Sequence, residues 1–245
     1  MCGIVGAVGL ANPRSYVCKG LKMLDYRGYD SAGLGFYDEG IKVYKDVGSV
    51  EHLMDIVPEN ISASLMIGHT RWATHGAPNK RNTHPHVSCH NHICLVHNGV
   101  IENFKELRGF LEEKGYSFYG ETDSEIIANL LEYKYLECHD VLTSIKDVLK
   151  ILKGSYAVTL FCDGCPDTLF VFKKMSPLVV GLGKGFNLVA SDASPMIEHT
   201  NDFFELGDLE YGVISKDSAT FFDKDGNEIS RPLIHKDVEL ISHDL

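Results

Sequence analysis

Helical periodicity fills the middle third of this chain and short β-rich segments lie on either side of it, an order that constrains the fold more than any other feature. A first strand is predicted over residues 3–8. Asn12-Pro13 then supplies an N-cap with proline in the first helical turn, and Val17, Leu21 and Leu24 follow at helical spacing. Further strands are predicted at 34–37, 41–44, 65–69 and 93–97. Ile101, Phe104, Leu107 and Leu111 form one helical stripe ending near Gly115, and Val141, Ile145, Val148 and Leu152 form another ending at Gly154. Between them Thr122-x-x-Glu125 reads as a capping box opening a helix that carries Ile126, Ile127, Leu130 and Leu131. Strands return at 156–161, 169–172, 178–181, 188–190, 213–215 and 220–222, separated by turns such as Asp163-Gly164 and Asp225-Gly226. Strands, then helices, then strands predict an α+β domain in which two sheets pack together with helices outside.

With 245 residues and 44% hydrophobic content the chain can bury one sizeable core, and it reads as one domain. The formal charge of −11, from 34 acidic and 23 basic residues without a basic cluster, argues against a nucleic-acid groove or an anionic membrane surface. No apolar stretch approaches the ~18 residues that would span a bilayer. The apolar start at 4–11 has no Lys or Arg before it and is broken by Gly6 and Gly9, so it is not read as a signal peptide. Seven irregularly spaced cysteines in a chain too long to need disulfide staples predict reduced thiols in a cytoplasm.

Cys2 follows the initiator methionine, and removal of that one residue would leave a cysteine carrying both a thiol and a free α-amino group. An α-amino group titrates near pH ~8, so part of it is unprotonated near neutrality and can take the thiol's proton. By position alone Cys2 reads more readily as a small buried hydrophobe opening a strand, and the rest of the chain reverses that preference. His84, His86, Cys89, His90 and His92 offer more than four zinc-type ligands, yet their spacing fits no closed zinc motif, and a polar loop feeding the next strand is the simpler reading; no metal is expected. Cys162-Asp163-Gly164-Cys165 has redox spacing without a following helix and reads as a hairpin turn. Gly181, Gly183 and Gly185 do not match a dinucleotide fingerprint.

Three further segments could carry chemistry, though taken singly they read more simply as a surface salt bridge, an Asn-Gly turn and an ordinary helix start. The segment His69-Thr70-Arg71-Trp72-Ala73-Thr74-His75-Gly76 ends a predicted strand with a guanidinium suited to a bidentate grip on a carboxylate. His97-Asn98-Gly99 ends another with a side-chain amide and a backbone N–H, the donors an oxyanion hole needs. Asp123 lies at a helix N-terminus, where the dipole favours a carboxylate suited to a substrate ammonium. Together they describe an amino acid held at both ends beside a nucleophile.

Those segments, with Cys2-Gly3-Ile4-Val5-Gly6, Tyr26-Arg27-Gly28-Tyr29-Asp30-Ser31-Ala32-Gly33, His84-Pro85-His86, Ile101-Glu102-Asn103, Glu121-Thr122-Asp123, Ser176-Pro177-Leu178 and Gly181-Leu182-Gly183, match in order the class II glutamine amidotransferases. Within them the chain most resembles the glutaminase domain of the glutamine–fructose-6-phosphate aminotransferase family, over nearly its whole length. The resemblance implies a four-layer αββα sandwich of the N-terminal-nucleophile hydrolase type, with no cofactor. It implies L-glutamine as substrate, Cys2 as the nucleophile of a thioester mechanism, and Asn98 with the Gly99 N–H as oxyanion donors. Arg71 would hold the α-carboxylate and Asp123 the α-ammonium. Trp72, Thr74 and His75 would cover the substrate, Trp72 also gating ammonia, and Arg27 would play a supporting role near the nucleophile.

In that family the domain is followed by a sugar isomerase half that binds fructose 6-phosphate, in a dimeric full-length enzyme. The expected division here is residues 1–236 as the amidotransferase domain and 237–245 as the start of a linker to an absent isomerase half, with the stretch from 234 onward reading as a tether. The alternatives are another class II amidotransferase and a non-enzymatic metal-binding module built on the histidine loop.

Overall fold

The computed structural model describes residues 2–25, 29–72 and 78–235. The first β-rich run forms β1 (Gly3–Val8), β2 (Ser31–Tyr37), β3 (Ile41–Val47), β4 (Leu65–Arg71), β5 (His86–Val87) and β6 (Ile93–Ile101), with α1 (Pro13–Met23) and α2 (Val50–Ile56) interspersed. The helical block is α3 (Phe104–Glu113), α4 (Asp123–Cys138) and α5 (Val141–Leu149). The second run forms β7 (Gly154–Cys162), β8 (Cys165–Lys174), β9 (Val179–Leu182), β10 (Asn187–Ala190), β11 (Asp202–Glu205), β12 (Glu210–Ile214), β13 (Ala219–Phe222), β14 (Glu228–Ile229) and β15 (Ile234–His235). No helix among the described residues is long and apolar enough to cross a membrane.

The strands assemble into two antiparallel sheets. One has the order β15-β11-β9-β10-β1-β4-β2-β3, the other β14-β13-β12-β8-β7-β6-β5. Each sheet is buried on both faces, and strand alternation sorts the side chains between two destinations. Ile4 and Val8 of β1, with Leu65 and Ile67 of β4, meet Cys94 and Val96 of β6 and Leu169 and Val171 of β8 in the space between the sheets. Val5 and Ala7 turn the other way and pack with Val17 and Leu21 of α1 and Leu53 of α2. On the second sheet Ile93, Leu95, Val158 and Phe172 pack against Ile127, Leu131, Ile145 and Val148 of the helical block. The result is the four-layer αββα sandwich.

Local signals account for most elements. Asn12 caps α1 by accepting from the Ser15 amide at 3.1 Å, with Pro13 in the first turn. Asp163-Gly164 turns β7 into β8 with Cys162 paired to Cys165, and both thiols are free. The Gly183 amide donates to Phe186 O at 3.1 Å in the β9–β10 connection, which accounts for the glycine cluster there.

Several expectations need correction. Ile101 belongs to β6, where it pairs with Gly154 of β7, and not to the α3 stripe; its amide donates to Asp123 Oδ2 at 2.7 Å. α2 has only Val50 and Leu53 buried in seven residues, too short a stripe for periodicity to register. Ile234 and His235 are an edge strand paired with Asp202 and Phe203, where a tether was expected. The linker assigned to 237–245 lies outside the described residues.

The capping box at α4 is also not formed as predicted. Thr122 is the N-cap but its side chain makes no cap bond; Oγ1 instead meets His86 Nε2 at 2.9 Å. Glu125 accepts from the Tyr119 and Gly120 amides at 2.5 and 2.6 Å. Buried nearly all round between sheet and helices, α4 satisfies its polar residues by holding loops. Glu132 accepts from Ser88 Oγ and from the His90 and His92 amides, while His92 Nδ1 lies 2.9 Å from Asp163. The histidine stretch is thus organised by carboxylates and burial, and among the described residues no group of three or more His, Cys, Asp or Glu side chains is arranged to hold a metal ion.

Candidate active site

Side-chain parity builds the site. Cys2 shares the inter-sheet parity of Ile4 and Val8, His69 and Arg71 that of Leu65 and Ile67, and Asn98 that of Cys94 and Val96. The β1–β4 register sets Gly3 opposite Thr70 and Ile4 opposite His69, so Cys2 comes level with the exit of β4. There the Trp72 amide donates to Cys2 Sγ at 3.3 Å. Asn98 reaches across from the other sheet, and its Nδ2 donates to Cys2 O at 3.0 Å.

Gly99 has φ +124, and a Cβ there would stand 2.1 Å from Ser155 O on β7. Only glycine fits this backbone, which turns the strand beside the thiol. Gly33 plays a similar part behind the site: a Cβ would stand 2.0 Å from His84 O, so its absence lets the 84–86 segment pack against β2.

Cys2, Arg71, Trp72, Gly99 and Asp123 line one cleft, with Thr122, Ser124, His84 and His97 in its wall. A larger cavity of about 460 Å³ opens on Cys2, Trp72, Asn98 and Gly99, and its wall also includes Leu24, Val100, Pro177, Ser191 and Asp192. The small cleft holds the groups able to grip an amino acid at both ends, whereas the larger cavity is mostly apolar. Arg71 is buried and Trp72 is 47% exposed. Burial raises the Cys2 thiol pKa, opposed by the hydrogen bond from the Trp72 amide and by the charge of Arg71.

Among the expected site residues the structure brings together Cys2, Arg71, Trp72, Asn98, Gly99 and Asp123. Arg27, Thr74 and His75 lie outside the described residues. Missed by sequence reasoning were the buried histidines behind the cleft. His69 Nε2 lies 2.9 Å from Asn98 Oδ1 and 3.1 Å from His97 O, and the His69 ring stacks on His84 with centroids 4.0 Å apart. His97 Nδ1 lies 2.8 Å from Ser124 Oγ. Burial pushes His69 down to about 3 and lowers His84, His86 and His97 as well, the last opposed by the Asp123 carboxylate. The signal that could have found His69 was its parity with Leu65 and Ile67, which sends it into the inter-sheet space.

Comparisons with known proteins bear on the family and the fold. The family model described as glutamine amidotransferase domain matches residues 69–198. The chain is 42% identical over 237 residues to glutamine–fructose-6-phosphate aminotransferase (isomerizing) of Clostridium perfringens, covering 96% of this chain and 38% of that protein. It is 45% identical over 233 residues to the protein of the same name from Bacillus cereus, covering 94% and 38%. The chain therefore spans about 38% of the length of these relatives. Among solved structures, glutamine phosphoribosylpyrophosphate amidotransferase from B. subtilis, complexed with ADP and GMP, superposes with a TM-score of 0.79 at 24% identity, covering 92% of this chain and 50% of that one. That likeness bears on the fold alone, which is of the N-terminal-nucleophile hydrolase type.

Proposed function

The chain belongs to the glutamine amidotransferase domain family, and from that premise we propose that it hydrolyses L-glutamine to glutamate and ammonia at Cys2. With Met1 removed, the α-amino group of Cys2 takes the thiol proton and Sγ attacks the side-chain amide carbon. The C=O electron pair moves onto oxygen, where Asn98 Nδ2 and the Gly99 N–H hold the charge. Collapse of that intermediate breaks the C–N bond as the α-ammonium returns the proton to nitrogen, releasing ammonia and leaving a γ-glutamyl thioester. Water then attacks the thioester and restores the thiol. A thiol whose pKa burial has raised needs such a base within reach.

Arg71 holds the substrate α-carboxylate and Asp123 its α-ammonium. Trp72, Thr74 and His75 cover the substrate, Trp72 also gating the passage of ammonia, and Arg27 supports the nucleophile. In a longer protein the ammonia goes to a sugar isomerase half that converts fructose 6-phosphate to glucosamine 6-phosphate, in a dimer located in the cytoplasm. Residues 1–236 form the amidotransferase domain and 237–245 begin the linker to that half.

The observation that carries this reading is that Cys2 borders both the cleft that holds Arg71 and Asp123 and the cavity that holds Asn98, whose Nδ2 lies 3.0 Å from Cys2 O. The test supplies glutamine with fructose 6-phosphate and assays glutamate and aminosugar. The 245-residue chain is expected to make glutamate without aminosugar, Cys2→Ala neither, and Cys2→Ser almost none, because a hydroxyl is far the weaker nucleophile near neutral pH. Substantial turnover by Cys2→Ala would remove the mechanism, and aminosugar from this chain alone would remove the division of labour.

A further inference from the structure

We propose that His69 is a positioning residue that fixes which end of the Asn98 amide faces the nucleophile; the inference rests on the oxyanion role given to Asn98 above. His69 Nε2 lies 3.1 Å from His97 O and 2.9 Å from Asn98 Oδ1. A backbone carbonyl only accepts, so Nε2 carries the proton and donates. The Asn98 atom beside it is then the amide oxygen, and Nδ2 is left to donate toward Cys2 O at 3.0 Å. The histidine tautomer thereby sets the polarity of the oxyanion hole. With the amide turned over, an oxygen would meet the developing negative charge, and the site would repel the charge it must stabilise.

The ring is held so that this tautomer persists. His69 is buried and stacks on His84 with an interplanar angle of 17°. His84 Nδ1 accepts from the His97 amide at 3.3 Å, so its proton sits on Nε2 and is donated to Ser124 Oγ at 3.3 Å. His69 Nδ1 has no hydrogen-bond partner among the described residues, where a second proton would be a buried, unpaired N–H. Both rings thus stay neutral with one proton each in a fixed place. The action of His69 passes through Asn98.

The experiment is a double-mutant cycle on glutamine hydrolysis with wild type, His69→Phe, Asn98→Ala and the double variant. Phenylalanine keeps the flat ring on His84 and removes the donor. His69→Phe is expected to lose about tenfold or more in kcat with KM changed less than about twofold, and to lose nothing further in the Asn98→Ala background. His69→Gln, whose amide N–H can donate to the same oxygens, should recover most of the rate. Alkylation of Cys2 by iodoacetamide, followed on its peptide by mass spectrometry, needs no oxyanion hole and should proceed at the wild-type rate. His69→Leu makes the same comparison should the phenylalanine variant not fold. Equal fold-losses in both Asn98 backgrounds, or a glutamine variant no better than phenylalanine, overturns the proposal. A wild type that does not hydrolyse glutamine overturns the functional reading as well, whereas an active wild type with additive losses overturns this inference alone.

Discussion

Arg71 and Asn98 border the same thiol and should fail in different kinetic terms. Arg71 is buried at the end of β4, where a guanidinium can grip the α-carboxylate with two parallel hydrogen bonds in both ground and transition states. Arg71→Lys keeps the charge but loses the fork, so KM for glutamine is expected to rise with kcat much less affected. In the oxyanion role proposed for it, Asn98 acts only when charge develops on the amide oxygen, and Asn98→Ala is expected to lower kcat by roughly 10²-fold or more with little change in KM. Steady-state kinetics on the two variants check this, and a pure KM effect at Asn98 would contradict its role. At this scale the sequence was legible in which residues come together, Cys2, Arg71, Asn98 and Gly99, though Asn98 and Gly99 lie within β6 and not at the strand end expected for them. It was silent on His69 and His84, because a neutral buried histidine looks like any other and its part emerges only when two sheets bring β4 and β6 within hydrogen-bond reach.

The elements that present these residues were legible from their periodicity, and their joints were not. The stripes of α1 and α5 and the β-rich runs were visible because one face of each is apolar over several turns or strand repeats. α4 was visible as an apolar run, but the job of Glu125 was misread. Sequence spacing proposes a bond back to Thr122, whereas burial brings the Tyr119 and Gly120 amides to the carboxylate at 2.5 and 2.6 Å and leaves Thr122 to His86. Glu125 therefore anchors the loop that enters the turn bearing Thr122 and Asp123. Removing its side chain should strand two amides at a buried site, costing about 2–4 kcal/mol, or on the order of 10 °C in Tm for a domain of this size. Glu125→Ala is accordingly expected to lower Tm and raise KM for glutamine through the displaced Asp123, and Glu125→Gln, which can still accept one amide, should fall between. Calorimetry with steady-state kinetics checks the pairing; a large loss of Tm without a change in KM would separate the anchor from the binding of the ammonium.

For the molecule as a whole, the same packing that builds the site sets its limit in acid. His69, His84, His86 and His97 sit together between β2, β4, β6 and the start of α4, with Arg71 and Lys45 adding positive charge nearby and Asp123 opposing it at His97. Their folded pKa values lie below the ordinary histidine value of about 6.5, that of His69 at about 3. The unfolded chain thus binds more protons than the folded one below about pH 6.5, so stability is full above that pH and falls as pH drops. Each histidine can weaken the folding constant up to about tenfold per pH unit in that window, and four of them together can exhaust a typical domain stability of about 5–15 kcal/mol within one to three units. Carboxylates with depressed pKa values, such as Asp208 and Asp223, act only at lower pH, near and below their ordinary value of about 4. Acid unfolding is therefore expected near pH 5, steep and histidine-driven. His86→Gln, which keeps a polar partner for Thr122 and removes one proton-binding site, should shift the midpoint downward and shallow the transition. Circular dichroism across pH 4–8 reads both effects, and a stability that is flat from pH 7 to 4.5, or a midpoint indifferent to His86, would mean the buried histidines do not govern it.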